Sequence, residues 1–140
     1  MIASEVMTRD PISVGPSTSV AQVWDIMREM EIRHVPVVER GKLLWIVSDR
    51  DLARLDVAGI LTAEGAELLR RELSTPVVRI MSSDVISIDT DAELSDAIEL
   101  LIEHKVGALP VVERETRELA GILSYIDVLK ALLEHLDEND

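Results

Sequence analysis

The chain has 140 residues, 47 % of them hydrophobic and 29 % charged, with a formal net charge of −13. These values describe a globular protein of one compact domain or two very small ones, and they exclude an intrinsically disordered chain. The charge also excludes broad nucleic-acid binding, which draws its affinity from Lys and Arg on phosphates.

Reading from the N-terminus, a short strand is expected at Ile12–Val14. A helix follows, with Val20, Val23, Trp24 and Met27 at helical spacing and a capping box from Ser19 and Gln22. Two β-rich runs, Val35–Glu39 and Leu43–Val47, form a hairpin about the Arg40–Gly41–Lys42 turn. A helix begins after Ser48. Gly59 to Leu73 reads as a further helix, with Thr62 as N-cap and Leu61, Leu68, Leu69 and Leu73 available for packing. Ser74, Thr75 and Pro76 stop it.

The same order then returns. A strand is expected at Ile86–Ile88, and a helix carries Leu94, Ala97, Ile98 and Leu101. Thr90 with Glu93 forms a second candidate capping box, although this pair does not align with Ser19 and Gln22. The runs Leu109–Glu113 and Glu118–Leu123 form a second hairpin, and a helix begins after Ser124. Glu134 to Asp140 reads as a frayed acidic end.

An internal repeat organises these elements. MTRDPISV from Met7 reappears from Met81 as MSSDVISI. VPVVER (Val35 to Arg40) reappears as LPVVER (Leu109 to Arg114), followed by a small insertion around Glu115 to Arg117. LLWIVSDRDL (Leu43 to Leu52) aligns with LAGILSYIDV (Leu119 to Val128). The fold class is therefore α/β (α+β), as two β-α-β-β-α repeats at 1–57 and 76–140 joined by a helical linker at 58–75. One repeat of this size buries too little apolar surface to stand alone. The copies are expected to pack sheet to sheet as one pseudo-symmetric module with two related clefts.

The sharpest functional signal lies where each hairpin enters its last helix. Ser48, Asp51 and Arg54 recur in register as Ser124, Asp127 and Lys130. A helix N-terminus offers free amides and a positive dipole end to phosphate. A Ser hydroxyl donates to a phosphate oxygen, and a carboxylate accepts from vicinal ribose hydroxyls. The same spacing is also that of a capping box, in which Ser caps the helix and the acid reaches back. Spacing alone leaves both readings open.

These residues, together with R-H-V-P-V-V and G-A-L-P-V-V on the preceding strands, resemble the CBS (cystathionine β-synthase-type) domain family over essentially the whole chain, as two copies. The resemblance implies paired β-α-β-β-α units that bind AMP, ADP, ATP, S-adenosylmethionine or a related adenosyl compound between the repeats. Asp51 and Asp127 would then hold ribose hydroxyls, with Ser48 and Ser124 near phosphate or its equivalent. Asp10, Pro11 and Ile12, and Asp84, Val85 and Ile86, would frame the base. Arg33, His34, Val35 and Pro36, and Gly107, Ala108, Leu109 and Pro110, would line the same clefts, with Arg50, Arg54, Ile126 and Lys130 at the helix entrances.

Two departures qualify this pattern. Trp45 stands where the family motif has glycine, a residue that Gly121 keeps in the second copy. The indole either reshapes the first cleft or anchors a core or dimer interface. Gly107 stands where the first copy has Arg33, so Arg33, Arg50 and Arg54 favour a phosphorylated ligand at the first copy.

Other constellations carry little. His34, His104 and His135 share no metal-ligand spacing. No nucleophilic set or glycine-rich phosphate loop is present, and the absence of cysteine removes disulfides and thiolate sites. Met7, Met27, Met30 and Met81 are expected to fill core gaps. No catalytic cofactor is expected, only an adenosine nucleotide or S-adenosylmethionine as regulatory ligand. The expected protein is a sensor, not an enzyme, acting on an unidentified effector protein. The alternative is a ligand-free dimerisation scaffold. A homodimer is expected through apolar helix faces that include Ile26 and Leu100. No nucleic acid and no membrane partner is expected, and with no basic-then-apolar leader in view the location is read as cytoplasmic.

Overall fold

The computed structural model describes residues 1–53, 63–81 and 84–138. In chain order the elements are α1 (Ala3–Val6), β1 (Thr8–Arg9), α2 (Val20–Met30), β2 (His34–Glu39), β3 (Lys42–Ser48), α3 (Asp49–Ala53), α4 (Ala63–Ser74), a 3-10 turn (Val77–Ile80), β4 (Ile88–Asp89), α5 (Leu94–His104), β5 (Ala108–Val112), β6 (Leu119–Ser124) and α6 (Tyr125–Glu138). They form two compact units. The first comprises Met1–Pro11, Arg40–Leu43 and Ile86–Asp140; the second comprises Ile12–Glu39 and Leu44–Val85. Each unit therefore joins the body of one repeat to the lead-in of the other.

In the first unit the sheet order is β1-β6-β5-β4, with β1 and β5 antiparallel to β6 and β4 parallel to β5. Its lead-in is tied by backbone bonds. Ala3 N donates to Ala92 O (2.8 Å), Ser4 N to Thr90 O (3.0 Å) and Leu94 N to Met1 O (2.9 Å). Ala3 and Met7 thereby join Ile88, Leu94, Ala97, Leu101, Leu109, Val111, Leu123 and Val128 in one core.

The second unit repeats these bonds at equivalent positions. Val77 N donates to Thr18 O (2.7 Å), Val78 N to Pro16 O (3.1 Å) and Val20 N to Thr75 O (2.9 Å). Val77 enters a core of Val14, Val20, Val23, Met27, Val35, Val37, Trp45, Val47 and Leu52, with Leu73, Ile80, Met81 and Val85 packed against it. The β2–β3 hairpin turns at Arg40 and Gly41, both at positive φ (55° and 81°). That pair of conformations suits a two-residue turn whose twist matches its strands, and glycine adopts it without steric cost.

Several expectations change. The Ile12–Val14 strand reduces to a single bridge, Val14 to Val37, and the second lead strand is Ile88–Asp89. Pro11, Gly15 and Pro16 interrupt longer pairing at the first position. The Ser19–Gln22 capping box forms, with Gln22 N donating to Ser19 Oγ (3.1 Å) and Ser19 N to Gln22 Oε1 (2.9 Å). Thr90 and Glu93 make no such box: Glu93 is itself the N-cap of α5, without a side-chain bond. Trp24 and Met30 face outward, 42 % and 54 % exposed, and Leu68 on α4 is exposed too. Ile26 and Leu100 are half-buried against the cores and leave little surface to cover. Thr62, Leu61 and the start of the predicted linker helix lie outside the described residues.

The expected frayed C-terminus is helical through Glu138. Leu129, Leu132, Leu133 and Leu136 are strong helix formers that outweigh the unfavourable position of Glu134, Asp137 and Glu138 near the negative dipole end.

Candidate functional site

The two hairpin-to-helix junctions are built alike. In the second unit Asp49 N donates to Arg33 O (2.9 Å), bringing the entry of β2 to the start of α3. In the first unit Tyr125 N donates to Gly107 O (3.0 Å), and Ala108 pairs with Ser124. The chain just before each inner strand thus meets the Ser that opens each last helix.

Within each junction the serine and the acid bond reciprocally. Asp51 Oδ2 accepts from Ser48 N (2.7 Å) and Ser48 Oγ (3.0 Å), while Asp51 N donates to Ser48 Oγ (3.3 Å). Asp127 Oδ2 accepts from Ser124 N (2.9 Å) and Ser124 Oγ (3.0 Å), and Asp127 N donates to Ser124 Oγ (3.1 Å). These are capping boxes, and each satisfies amides at a helix start that the helix itself leaves unpaired. All four side chains are half-buried.

Capping does not exhaust the carboxylates. An ionised acid offers about four lone-pair sites. Asp127 also accepts from Thr8 Oγ1, at 3.2 Å to Oδ1 and 3.4 Å to Oδ2. Three donors therefore surround Asp127, and the exposed Thr8 hydroxyl is the one free to rotate away in favour of another donor. Thr8 is a residue that the sequence reading missed. The available signal was a hydroxyl at both lead-ins, Thr8 and Ser82 in the MTRD and MSSD segments. Ser82 lies outside the described residues.

Thr8 reaches Asp127 because β1 lies directly on β6, with Arg9 opposite Gly121. A Cβ at Gly121 would stand 2.6 Å from both Thr8 O and Met7 Sδ. Trp45 occupies the corresponding place in the second unit, 6 % exposed and within the core. It takes for itself the space that Gly121 yields to Met7. Met81, the counterpart of Met7, is accordingly left half-buried while Met7 is buried. Among the described residues the only strand that pairs with β3 is β2, beside a single bridge from Lys42 to Glu118.

The remaining candidates divide between the units. The first unit holds Asp10, Pro11, Ile86, Gly107, Ala108, Leu109, Pro110, Ser124, Ile126, Asp127 and Lys130; the second holds Ile12, Arg33, His34, Val35, Pro36, Ser48, Arg50, Asp51, Asp84 and Val85. Arg54 lies outside the described residues. Asp10 adopts a positive φ of 49°, which aspartate tolerates better than most residues. Val35, Pro36, Ala108, Leu109 and Pro110 are buried, so their side chains serve the cores and only their backbone is available to a ligand. Arg33, Arg50 and Lys130 are exposed. Arg33 and Lys130 form no bond with the two capping carboxylates among the described residues.

His34, half-buried beside this junction, has its pKa lowered. Burial is the main cause; the nearby carboxylates of Asp49 and Asp51 oppose it, and Arg33 and Arg50 reinforce it. The folded protein thus favours neutral imidazole. As pH falls through the unfolded value of about 6.5, the unfolded chain takes up a proton first, so stability is lost until the lower folded pKa is passed. Above about 6.5 the contribution is complete. Thermal unfolding followed from about pH 8 to pH 5 should show a larger loss for the wild type than for His34→Gln. Equal losses would assign no role to His34.

Among the described residues no group of His, Asp and Glu is arranged to hold a metal, and no helix is long and apolar enough to cross a membrane.

Comparison with known proteins agrees with the doubled architecture. The sequence profile of the CBS domain matches residues 3–63 and 76–134. The chain is similar to the CBS domain-containing protein YhcV of Bacillus subtilis, 30 % identical over 124 residues that cover 89 % of this chain and 80 % of that one. It resembles inosine-5'-monophosphate dehydrogenase of Methanocaldococcus jannaschii at 30 % identity over 91 % of its length, but spans only 23 % of that enzyme. Among solved structures it resembles CBSX2 in complex with AMP, with a TM-score of 0.79, 30 % identity, and coverage of 95 % of this chain and 96 % of that one.

Proposed function

This chain belongs to the CBS domain family, and from that premise we propose that it is a regulatory module that binds an adenosine-containing ligand and is not itself an enzyme. The observation that carries the reading is its likeness, over nearly its full length, to a CBS structure solved with AMP. The twin serine–acid junctions support it with suitable chemistry. Asp51 and Asp127 accept from ribose hydroxyls, and Ser48 and Ser124 approach the phosphate or its equivalent. At the first unit's junction, a ribose hydroxyl takes over the bond that Thr8 donates to Asp127. Residues around Asp10–Ile12 and Asp84–Ile86 frame the base, together with the backbone before Pro36 and Pro110.

The ligand class is AMP, ADP, ATP or S-adenosylmethionine. Arg50 is two residues from Ser48 and the Asp49 N–Arg33 O bond brings Arg33 to the same junction, whereas Lys130 alone accompanies Ser124, so the second unit's junction favours the phosphorylated members. Neighbouring charges outweigh the overall net charge of −13, because screening limits exposed charges to about 8 Å at physiological salt. Regulation follows when the ligand binds one conformational state more tightly than another and an effector protein or a second copy reads the difference. The protein acts in the cytoplasm.

A second reading, a scaffold without ligand, is favoured by one specific observation: the reciprocal Ser–Asp bonds already give both acids a capping role. A thermal-shift panel with AMP, ADP, ATP and S-adenosylmethionine separates the two. A ligand at about 100 times its dissociation constant stabilises the folded state by about 2.7 kcal/mol. A flat response to all four compounds supports the scaffold.

A further inference from the structure

The two junctions share a serine and an acid, but the four positions around that pair differ in one consistent respect. The repeats align Arg33 with Gly107, His34 with Ala108, Asp49 with Tyr125 and Arg50 with Ile126. In the second unit each of the four is charged or titrates near neutral pH. In the first unit each is neutral there. Size differs as well. Ala108 is buried, whereas the longer His34 is half-buried and Asp49 and Arg50 are exposed. The second unit's junction is therefore the one whose charge changes with pH.

His34 decides the sign of that charge. Asp49 N donates to Arg33 O (2.9 Å), which holds the residue before His34 against the start of α3. Among the described residues the charged groups that act on His34 are the carboxylates of Asp49 and Asp51 and the guanidinium groups of Arg33 and Arg50. Two anions and two cations cancel, so the imidazole proton sets the net sign of the cluster. Burial lowers the His34 pKa, and the free protein holds the ring neutral near pH 7. An anion brought beside the ring favours its protonated form, and a cation disfavours it. Ligand binding and protonation are then linked, and each changes the other by the same factor.

We infer that His34 is a specificity-determining residue: its protonation turns the second unit's junction towards the phosphate of an adenosine nucleotide and away from the sulfonium of S-adenosylmethionine, while the first unit's junction has no such response. This role rests on the adenosyl-ligand reading above and adds to it a proton that selects between members of that class. The sign follows from linkage. AMP affinity rises as pH falls from about 8 to about 6, because the bound phosphate raises the pKa that burial has lowered. It gains nothing more once the free protein is protonated too. S-adenosylmethionine affinity falls over the same range.

Calorimetric titration of the full chain carrying Asp127→Ala reads the second unit's junction alone. AMP, S-adenosylmethionine and uncharged adenosine are titrated at about pH 8 and about pH 6, with and without His34→Gln. The phosphate of AMP itself titrates at about pH 6, so the effect of His34 is the difference between the two proteins. With His34 present, AMP affinity should rise about threefold to tenfold relative to His34→Gln on going to the lower pH. S-adenosylmethionine affinity should fall relative to His34→Gln, and adenosine should show no difference. Loosening of the fold at low pH would weaken all three ligands together, so opposite signs report charge and not structure. His34→Asn repeats the test should His34→Gln fold poorly. AMP responses that are the same with and without His34, or shifts of one sign for both charged ligands, overturn the inference and leave the adenosyl reading standing. So does binding to the wild type that Asp127→Ala abolishes. No binding of any of the three ligands to the wild type at either pH overturns both.

Discussion

Trp45→Ala should destabilise the protein by about 3–5 kcal/mol, the range for emptying a large aromatic side chain from a core. The indole is 6 % exposed and packs with Val23, Val35, Val47 and Val77 among others. Those partners are β-branched side chains with few rotamers, so they collapse poorly into the space left behind. Since small domains are stable by about 5–15 kcal/mol, one substitution here removes a large share. Urea denaturation followed by circular dichroism measures the change. Trp24→Ala is the control: Trp24 is 42 % exposed, and its loss should cost under about 1 kcal/mol. Similar losses for the two variants would contradict the placement of Trp45.

Gly121→Val acts on the same position of the other repeat in the opposite sense. Its first added carbon would meet the backbone oxygen of Thr8 and the sulfur of Met7, each at 2.6 Å. A methionine side chain can yield, but a backbone carbonyl held in a strand pair cannot. Overpacking of this kind costs about 1–3 kcal/mol. The substitution should also push β1 from β6, which removes the Thr8 bond from Asp127. Hydrogen exchange of the β1 and β6 amides should accelerate well beyond that of α5. Unchanged exchange with unchanged stability would contradict the close approach of β1.

Much of this architecture was legible in the sequence because local patterns carry it. The β-rich runs HVPVVE and ALPVV, the Arg40–Gly41 turn and the recurring Ser-x-x-Asp junctions are short-range signals, and β2, β3, β5 and β6 formed within a residue or two of expectation. The exchange of lead-ins was not legible. Ala3 and Val77 are similar small apolar residues in similar settings, and nothing local states which body each will enter. The exposure of Leu129, Leu133 and Leu136 on α6 was missed for a related reason: a leucine-rich helix reads as core, and periodicity cannot say which of two apolar faces is buried. Thr8 was overlooked because its bond to Asp127 spans almost the whole chain.

The account rests on the two acids receiving a ribose, and calorimetric titration with AMP of the wild type, Asp51→Ala and Asp127→Ala measures that most directly. Loss of a cap costs about 0.5–2 kcal/mol, which leaves each variant folded. A hydrogen bond to a charged group contributes about 1.5–3 kcal/mol, so each variant should lose about tenfold to a hundredfold in affinity at its own junction. AMP affinity and stoichiometry identical in all three proteins would contradict it.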